Sequence, residues 1–170
     1  MPKGSRQMLR VALTSHLLPA LSQRGFELAP WTGEDSKDRE LRSSFPWGRH
    51  RRAHPGGGLE LVEVQLDKRD AAFRLNLGIV PAEGLVRAGV QIPRDEVWVH
   101  YLDVYYTLYR WPRFRKWFSL WLIARQSGGT EAGQADYDAL VARVVELLPE
   151  VDLLFSQNTR GSHMRKVDAR

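Results

Sequence analysis

Apolar residues Leu9, Leu13, Leu17, Ala20 and Leu21 recur at three- and four-residue spacing within residues 5–24, which predicts a helix with one buried stripe. Gly25 follows where a C-terminal cap takes the left-handed conformation, and Phe26 is placed to fold back onto the last turn. Pro19 predicts a kink, because it removes one backbone hydrogen bond. Residues 32–44 are polar and without period, and they read as a solvated loop. Beyond them the period falls to two. Residues 45–54 make a weak strand, Pro55-Gly56-Gly57-Gly58 a turn, and residues 59–66 a strong strand. Over residues 71–80, Phe73, Leu75, Leu77 and Ile79 alternate with Arg74, Asn76 and Gly78, so Asp67-Lys68-Arg69-Asp70 closes a hairpin. A tight turn at Lys68-Arg69 sets Val64 opposite Phe73, Val62 opposite Leu75, and Glu63 opposite Arg74.

Residues 81–95 mix glycine, proline and charge, which marks a long surface loop with at most one short helical turn. Residues 97–109 are rich in β-branched and aromatic side chains and predict one long bent strand or two short ones, and the break at Ser127-Gly128-Gly129-Thr130 ends this region. A second amphipathic helix over residues 136–148 carries the stripe Tyr137, Leu140, Val141, Val144, Leu147 and Leu148, and Pro149 stops it. The elements add up to one α+β domain over residues 1–159: an antiparallel sheet of about four to six strands with an N-terminal and a C-terminal amphipathic helix packed on it.

Composition narrows the class. The chain has 170 residues, 43% hydrophobic and 26% charged, so it carries enough apolar surface for a core. It has no cysteine, which excludes disulfide frameworks, thiolate metal sites and cysteine nucleophiles, and makes a reducing cytoplasm its expected location. Lys3, Arg6 and Arg10 precede an apolar stretch in the manner of a signal peptide, but Thr14, Ser15, His16 and Pro19 interrupt it. The longest apolar run, residues 117–124, falls short of the ~20 residues a bilayer requires, so no membrane span is expected. Arg160-Gly161-Ser162-His163-Met164 matches the scar of a cleavable expression tag, so residues 160–170 read as a disordered or tag-derived tail. Four basic residues against Asp168 give that tail +3 of the formal +5 charge.

Several short motifs run in order through residues 9–154: Leu17-x-Pro19-x-Leu21 leading into Gly25-Phe26, Val64-Gln65, Asn76-x-Gly78, and Lys116-Trp117-Phe118-Ser119-Leu120. In these the chain resembles a bacterial family of unknown function, Domain of Unknown Function forty-three-oh-four. The resemblance implies helices packed on an antiparallel sheet, and it brings no activity or catalytic residue with it.

Three groups of residues are candidates for chemistry. Arg49, Arg51 and Arg52, with His50 and His54, could hold phosphate at an exposed sheet end, or could simply be a solvated strand end. Arg110, Trp111, Arg113, Arg115 and Lys116 interleave with Phe114, Trp117 and Phe118, as sites for single-stranded nucleic acid do. Trp117, Phe118, Trp121 and Leu122 also have the spacing of a buried helical stripe, so a core flanked by solvated arginines explains the same letters. Glu63, Gln65, Arg74 and Asn76 share the sheet face opposite the hydrophobic one, either as a binding surface or as ordinary cross-strand stabilisers. Arginines beside His50 and His54 repel a metal ion, and Gly56-Gly57-Gly58 leads into a strand, where a phosphate loop needs a helix. No cofactor is expected, and the sequence has no G-x-S-x-G, H-E-x-x-H or G-x-G-x-x-G motif. The expected function is a non-enzymatic binding protein of immunity or accessory type that recognises another macromolecule, a protein partner ahead of nucleic acid. The alternatives are a nucleic-acid-binding module built on residues 110–118 and an enzyme with a loop-built site.

Overall fold

The apolar stripe near the N-terminus forms a continuous helical rod: α1 (Ser5–Ala12), one π-helical turn (Leu13–Leu17) and α2 (Leu18–Gln23). The wide turn lies just ahead of Pro19, which withdraws the N–H that the Ser15 carbonyl would otherwise accept. Gly25 takes a φ of +81° and ends the rod, with the Phe26 N–H returning to the Leu21 carbonyl at 3.1 Å. The computed structural model describes residues 4–29, 31, 33–109, 117–120 and 132–168.

Residues 32–44 are not a plain loop. A 3-10 turn (Gly33–Ser36) leads into α3 (Arg39–Ser44), whose first N–H groups, from Glu40 and Leu41, donate to the Asp38 carboxylate at 2.9 Å each. Asp38 is an N-cap, a signal hidden among many polar letters. At the C-terminus α4 (Gln134–Val145) and α5 (Leu148–Gln157) form a helix pair. Pro149 sits in the first turn of α5, where its missing N–H costs nothing, so it opens a second helix in addition to ending the first.

The strands are β1 (Glu27–Ala29), β2 (Arg49–Ala53), β3 (Leu59–Leu66), β4 (Ala72–Val80), β5 (Leu85–Arg87), β6 (Val90–Ile92), β7 (Val104–Leu108), β8 (Phe118–Ser119) and β9 (Met164–Asp168). Seven of them make one antiparallel sheet in the order β1-β2-β3-β4-β7-β9, with β8 paired to the start of β4. The fold is therefore α+β, with an N-terminal helix and a C-terminal helix pair on the sheet. Residues 164–168, set aside above as tail, form the edge strand β9 on β7. Residues 81–95 contain the hairpin β5–β6 and a 3-10 turn (Arg94–Glu96). Residues 97–109 supply a single strand, β7, after a 3-10 turn at Val99–Tyr101.

Alternation in β3 and β4 sorts the faces as expected, but the register differs by two residues. Val64 pairs with Leu75, Val62 with Leu77, Glu63 with Asn76 and Gln65 with Arg74. The connection is wider than a two-residue turn because the Asp67 carboxylate accepts the N–H groups of Arg69 and Asp70, both at 2.8 Å. A shift of two preserves the side each residue faces, so only the partners change. Val62, Val64, Leu66, Phe73, Leu75 and Leu77 pack beneath the helices, while Leu59, Leu61 and Val80 meet Val97, Val99 and Leu102 on the opposite face. The sheet is thus covered on both sides.

Gly58 shows how closely the β2–β3 turn approaches β4. A Cβ there would lie 2.0 Å from the Val80 carbonyl oxygen, a backbone atom that cannot rotate away. Gly58→Ala is expected to cost about 1–3 kcal/mol in urea unfolding, the range of an overpacked core, and a loss under 0.5 kcal/mol would show that the turn has room.

Candidate functional site

The register aligns a row of polar residues across four strands: Arg49 on β2, Glu63 on β3, Asn76 on β4 and Thr107 on β7. All four are buried, and Glu63 is 0% exposed, because residues 97–102 lie across this face. The Val99 N–H donates to Glu63 Oε1 at 2.6 Å, and Arg49 Nη1 donates to the Val97 carbonyl at 3.2 Å. Arg49 also stands 4.9 Å from the centroid of Trp98, which packs at a tilt against Trp31 and Phe45 and donates from its indole nitrogen to Asp35 at 2.6 Å. Burial lowers Arg49 from its ordinary value, opposed by the charges of Asp35 and Glu63.

Burial pushes Glu63 up to about 7, against the Val99 N–H, Arg49, Asn76 and Arg74, which all favour its charge. Its Oε2 has no hydrogen-bond partner, and neither has Asn76 Oδ1 on the facing strand. The Asn76 amide is oriented by a fixed chain. Arg74 Nε donates to Gln65 Oε1 at 2.8 Å, and Asn76 Nδ2 donates to the same oxygen at 3.0 Å, which turns Oδ1 to the other side. The row therefore fastens residues 97–102 to the sheet, and it is closed to any substrate.

The basic run of β2 is spent on partners within the chain. Arg51 pairs with Asp95 at 2.8 Å. Arg52 pairs with Glu60 at 2.6 Å and Asp152 at 3.2 Å, donates to the Arg24 carbonyl at 2.7 Å, and lies 4.3 Å from the centroid of Phe26. Arg49 is buried and Arg52 half-buried among these partners, whereas the Arg51–Asp95 pair lies at the surface. His54 pairs with Glu60, while buried His50 is lowered to about 4 by desolvation. Of the polar sheet face, Glu63 and Asn76 are buried and Gln65 and Arg74 half-buried, with Arg74 4.6 Å from the Trp117 ring centroid. Arg110, Trp111, Arg113, Arg115 and Lys116 lie outside the described residues, as do Phe114, Trp121, Leu122 and residues 127–130.

Exposed cations gather elsewhere, at one end of the sheet. A cleft of about 330 Å³ is lined by Arg10 of α1, Lys37, and Arg39 and Arg42 of α3, with Ser43 and Pro46. No carboxylate among the described residues lines it. Lys37 pairs with Glu34 at 2.7 Å, while the Arg10 and Arg39 guanidiniums have no carboxylate partner among the described residues. A second cleft, of about 370 Å³, has Arg160, Arg165 and Lys166 beside Tyr109, and among the described residues only Lys166 of these has a carboxylate partner, Asp168 at 3.1 Å. Strand directions place both clefts at the same end of the sheet. β3 ends and β4 begins at the turn that Arg6 of α1 grips through the Asp67 and Lys68 carbonyls, and Lys68 pairs with Glu40 of α3. β7 ends and β9 begins at this same end, through the alignment of Leu75, Leu108 and Met164.

Sequence reading missed the first cleft because its cations come from a helix hidden in a polar stretch, and the second because they were assigned to a tail. The available signal was the spacing of Arg39 and Arg42, three apart behind the Asp38 cap. No helix among the described residues is long and apolar enough to cross a membrane. Compared with protein-family models, curated proteins and solved structures, the chain matches none of them.

Proposed function

We propose that this chain is a non-enzymatic binding protein that recognises another macromolecule by its negative charge, at the end of the sheet where the two cationic clefts meet solvent. The observation that carries the reading is the division of labour among the arginines. Arg49 and Arg52 are consumed by internal partners and Arg51 by a surface carboxylate, whereas Arg10, Arg39, Arg160 and Arg165 stand exposed without a carboxylate among the described residues. Unpaired cations lining concave surface of this size attract a multiply charged partner and accelerate its encounter. An acidic protein and a nucleic acid both meet that description. Catalysis is the weaker reading, because the most perturbed carboxyl, Glu63, is sealed beneath residues 97–102.

Titration of the chain with polyglutamate and with mixed nucleic acids at low salt tests the proposal. At least one should bind, and its affinity should fall steeply as salt is raised. Failure of both to bind at low salt would sink the reading.

A further inference from the structure

The two clefts differ from a protein-docking surface in what they lack. Protein interfaces draw affinity from a few aromatic or aliphatic anchors seated in desolvated pockets. Arginine, lysine, serine and proline line the first cleft, and in the second the large apolar groups, Tyr109 and Met164, are buried at 4% and 3% exposure. Among the residues lining the clefts, cations are therefore the exposed recognition groups. Their arrangement is doubled, since two separate clusters occupy the same end of the sheet. A single small anion would use one cluster, whereas a polymer with an anion at every repeat can engage both. Guanidinium forks match phosphate oxygens two at a time, and three of the four cations in the first cleft are arginines.

An aromatic ring adjoins the first cleft. Trp47, next to the lining residue Pro46, is half-buried against the helix-side core, with the Arg10 guanidinium 5.8 Å from its centroid. A ring held by the core and partly open beside phosphate-binding cations has the composition of a base-stacking platform. We infer that the cationic end of the sheet binds single-stranded nucleic acid, with Arg10, Arg39 and Arg42 on the backbone phosphates, Trp47 against a base, and Arg165 with its neighbours on phosphates further along. This inference rests on the proposed function above and names the class of its partner.

The test is fluorescence titration of the full chain with a labelled mixed-sequence single-stranded 20-mer, its duplex, and polyglutamate of similar charge, across a salt series. The single strand should bind most tightly, and log affinity should fall linearly with log salt. The double variant Arg39→Glu, Arg42→Glu changes only exposed side chains and should weaken single-strand binding at least roughly tenfold. Trp47→Phe retains a ring and should bind nearly as wild type, while Trp47→Ala should lose roughly five- to a hundredfold, the range of one base stack. Circular dichroism melts confirm that each variant is folded before its affinity is read. Polyglutamate binding without oligonucleotide binding overturns this inference and leaves the broader proposal standing, and absence of binding to every probe overturns both. Equal affinity for duplex and single strand, or oligonucleotide binding that the double variant leaves unchanged, also overturns it.

Discussion

Glu63→Gln should leave folding stability near the wild-type value at pH 4 and raise it by roughly 3 kcal/mol above pH 7. Glutamine has the shape of the protonated acid: its oxygen accepts the Val99 N–H, and it carries no charge to be desolvated in a fully buried position. The sign follows from the raised value. Glu63 titrates near 7 in the folded chain and near its ordinary 4.5 when unfolded, so the folded state holds more protons across that window. Wild-type stability therefore contains a contribution that is fully present below about 4.5 and is lost as pH rises through about 7.

His50 contributes the opposite slope. Its buried ring titrates at about 4 instead of 6.5, so the folded state resists protonation and loses stability as pH falls from 6.5 toward 4. In wild type the two slopes oppose each other between about 4.5 and 6.5 and flatten the profile. Removing the acid exposes the His50 slope, so the variant should gain stability steadily from pH 4 to 6.5. Urea titrations at unit pH intervals measure the difference. A constant offset between the two proteins would show that Glu63 keeps an ordinary affinity for its proton.

The route from alternation to this buried acid shows what the chain discloses locally. Phe73, Leu75 and Leu77 announce their side of the sheet, because a strand must turn successive residues to opposite faces. The faces survived a wrong register for the same reason, since an error of two residues is invisible to a pattern of period two. The partner of Glu63 was not legible. It depends on the width of the turn, which the Asp67 carboxylate sets through two backbone hydrogen bonds. Nor did alternation reveal that residues 97–102 seal the polar face, because covering it is a long-range event carried by Val97, Val99 and Leu102 meeting Leu59, Leu61 and Val80. For the cationic clefts the letters were visible and the placement was not. Arg39 and Arg42 face Arg10 only because α3 forms and docks beside α1, and Arg165 meets the same sheet end only because β9 adds to β7.

Trp98→Ala is expected to produce the largest loss of stability, about 3–5 kcal/mol, because it empties the site of a fully buried indole. The ring does three jobs in residues 97–102. It packs at a tilt against Trp31 at 5.3 Å and Phe45 at 5.4 Å, covers the buried Arg49 guanidinium, and bonds Asp35. Trp98→Phe retains most of the aromatic packing, and its lost hydrogen bond leaves Asp35 partly accessible to water, so it should cost only about 1 kcal/mol. The alanine variant has a second consequence tied to the first prediction. If residues 97–102 come away from the sheet, the Val99 amide exchanges faster than the core amides of β3 and β4, and water reaches Glu63. Desolvation is the main cause of that residue's raised value, so its titration should return toward the ordinary carboxylate range and its share of the pH dependence should fade. Hydrogen exchange at Val99 and stability profiles of Trp98→Ala with and without Glu63→Gln measure the coupling. Additive effects at every pH would mean that Trp98 and Glu63 act independently, and that the indole is not what keeps the acid dry.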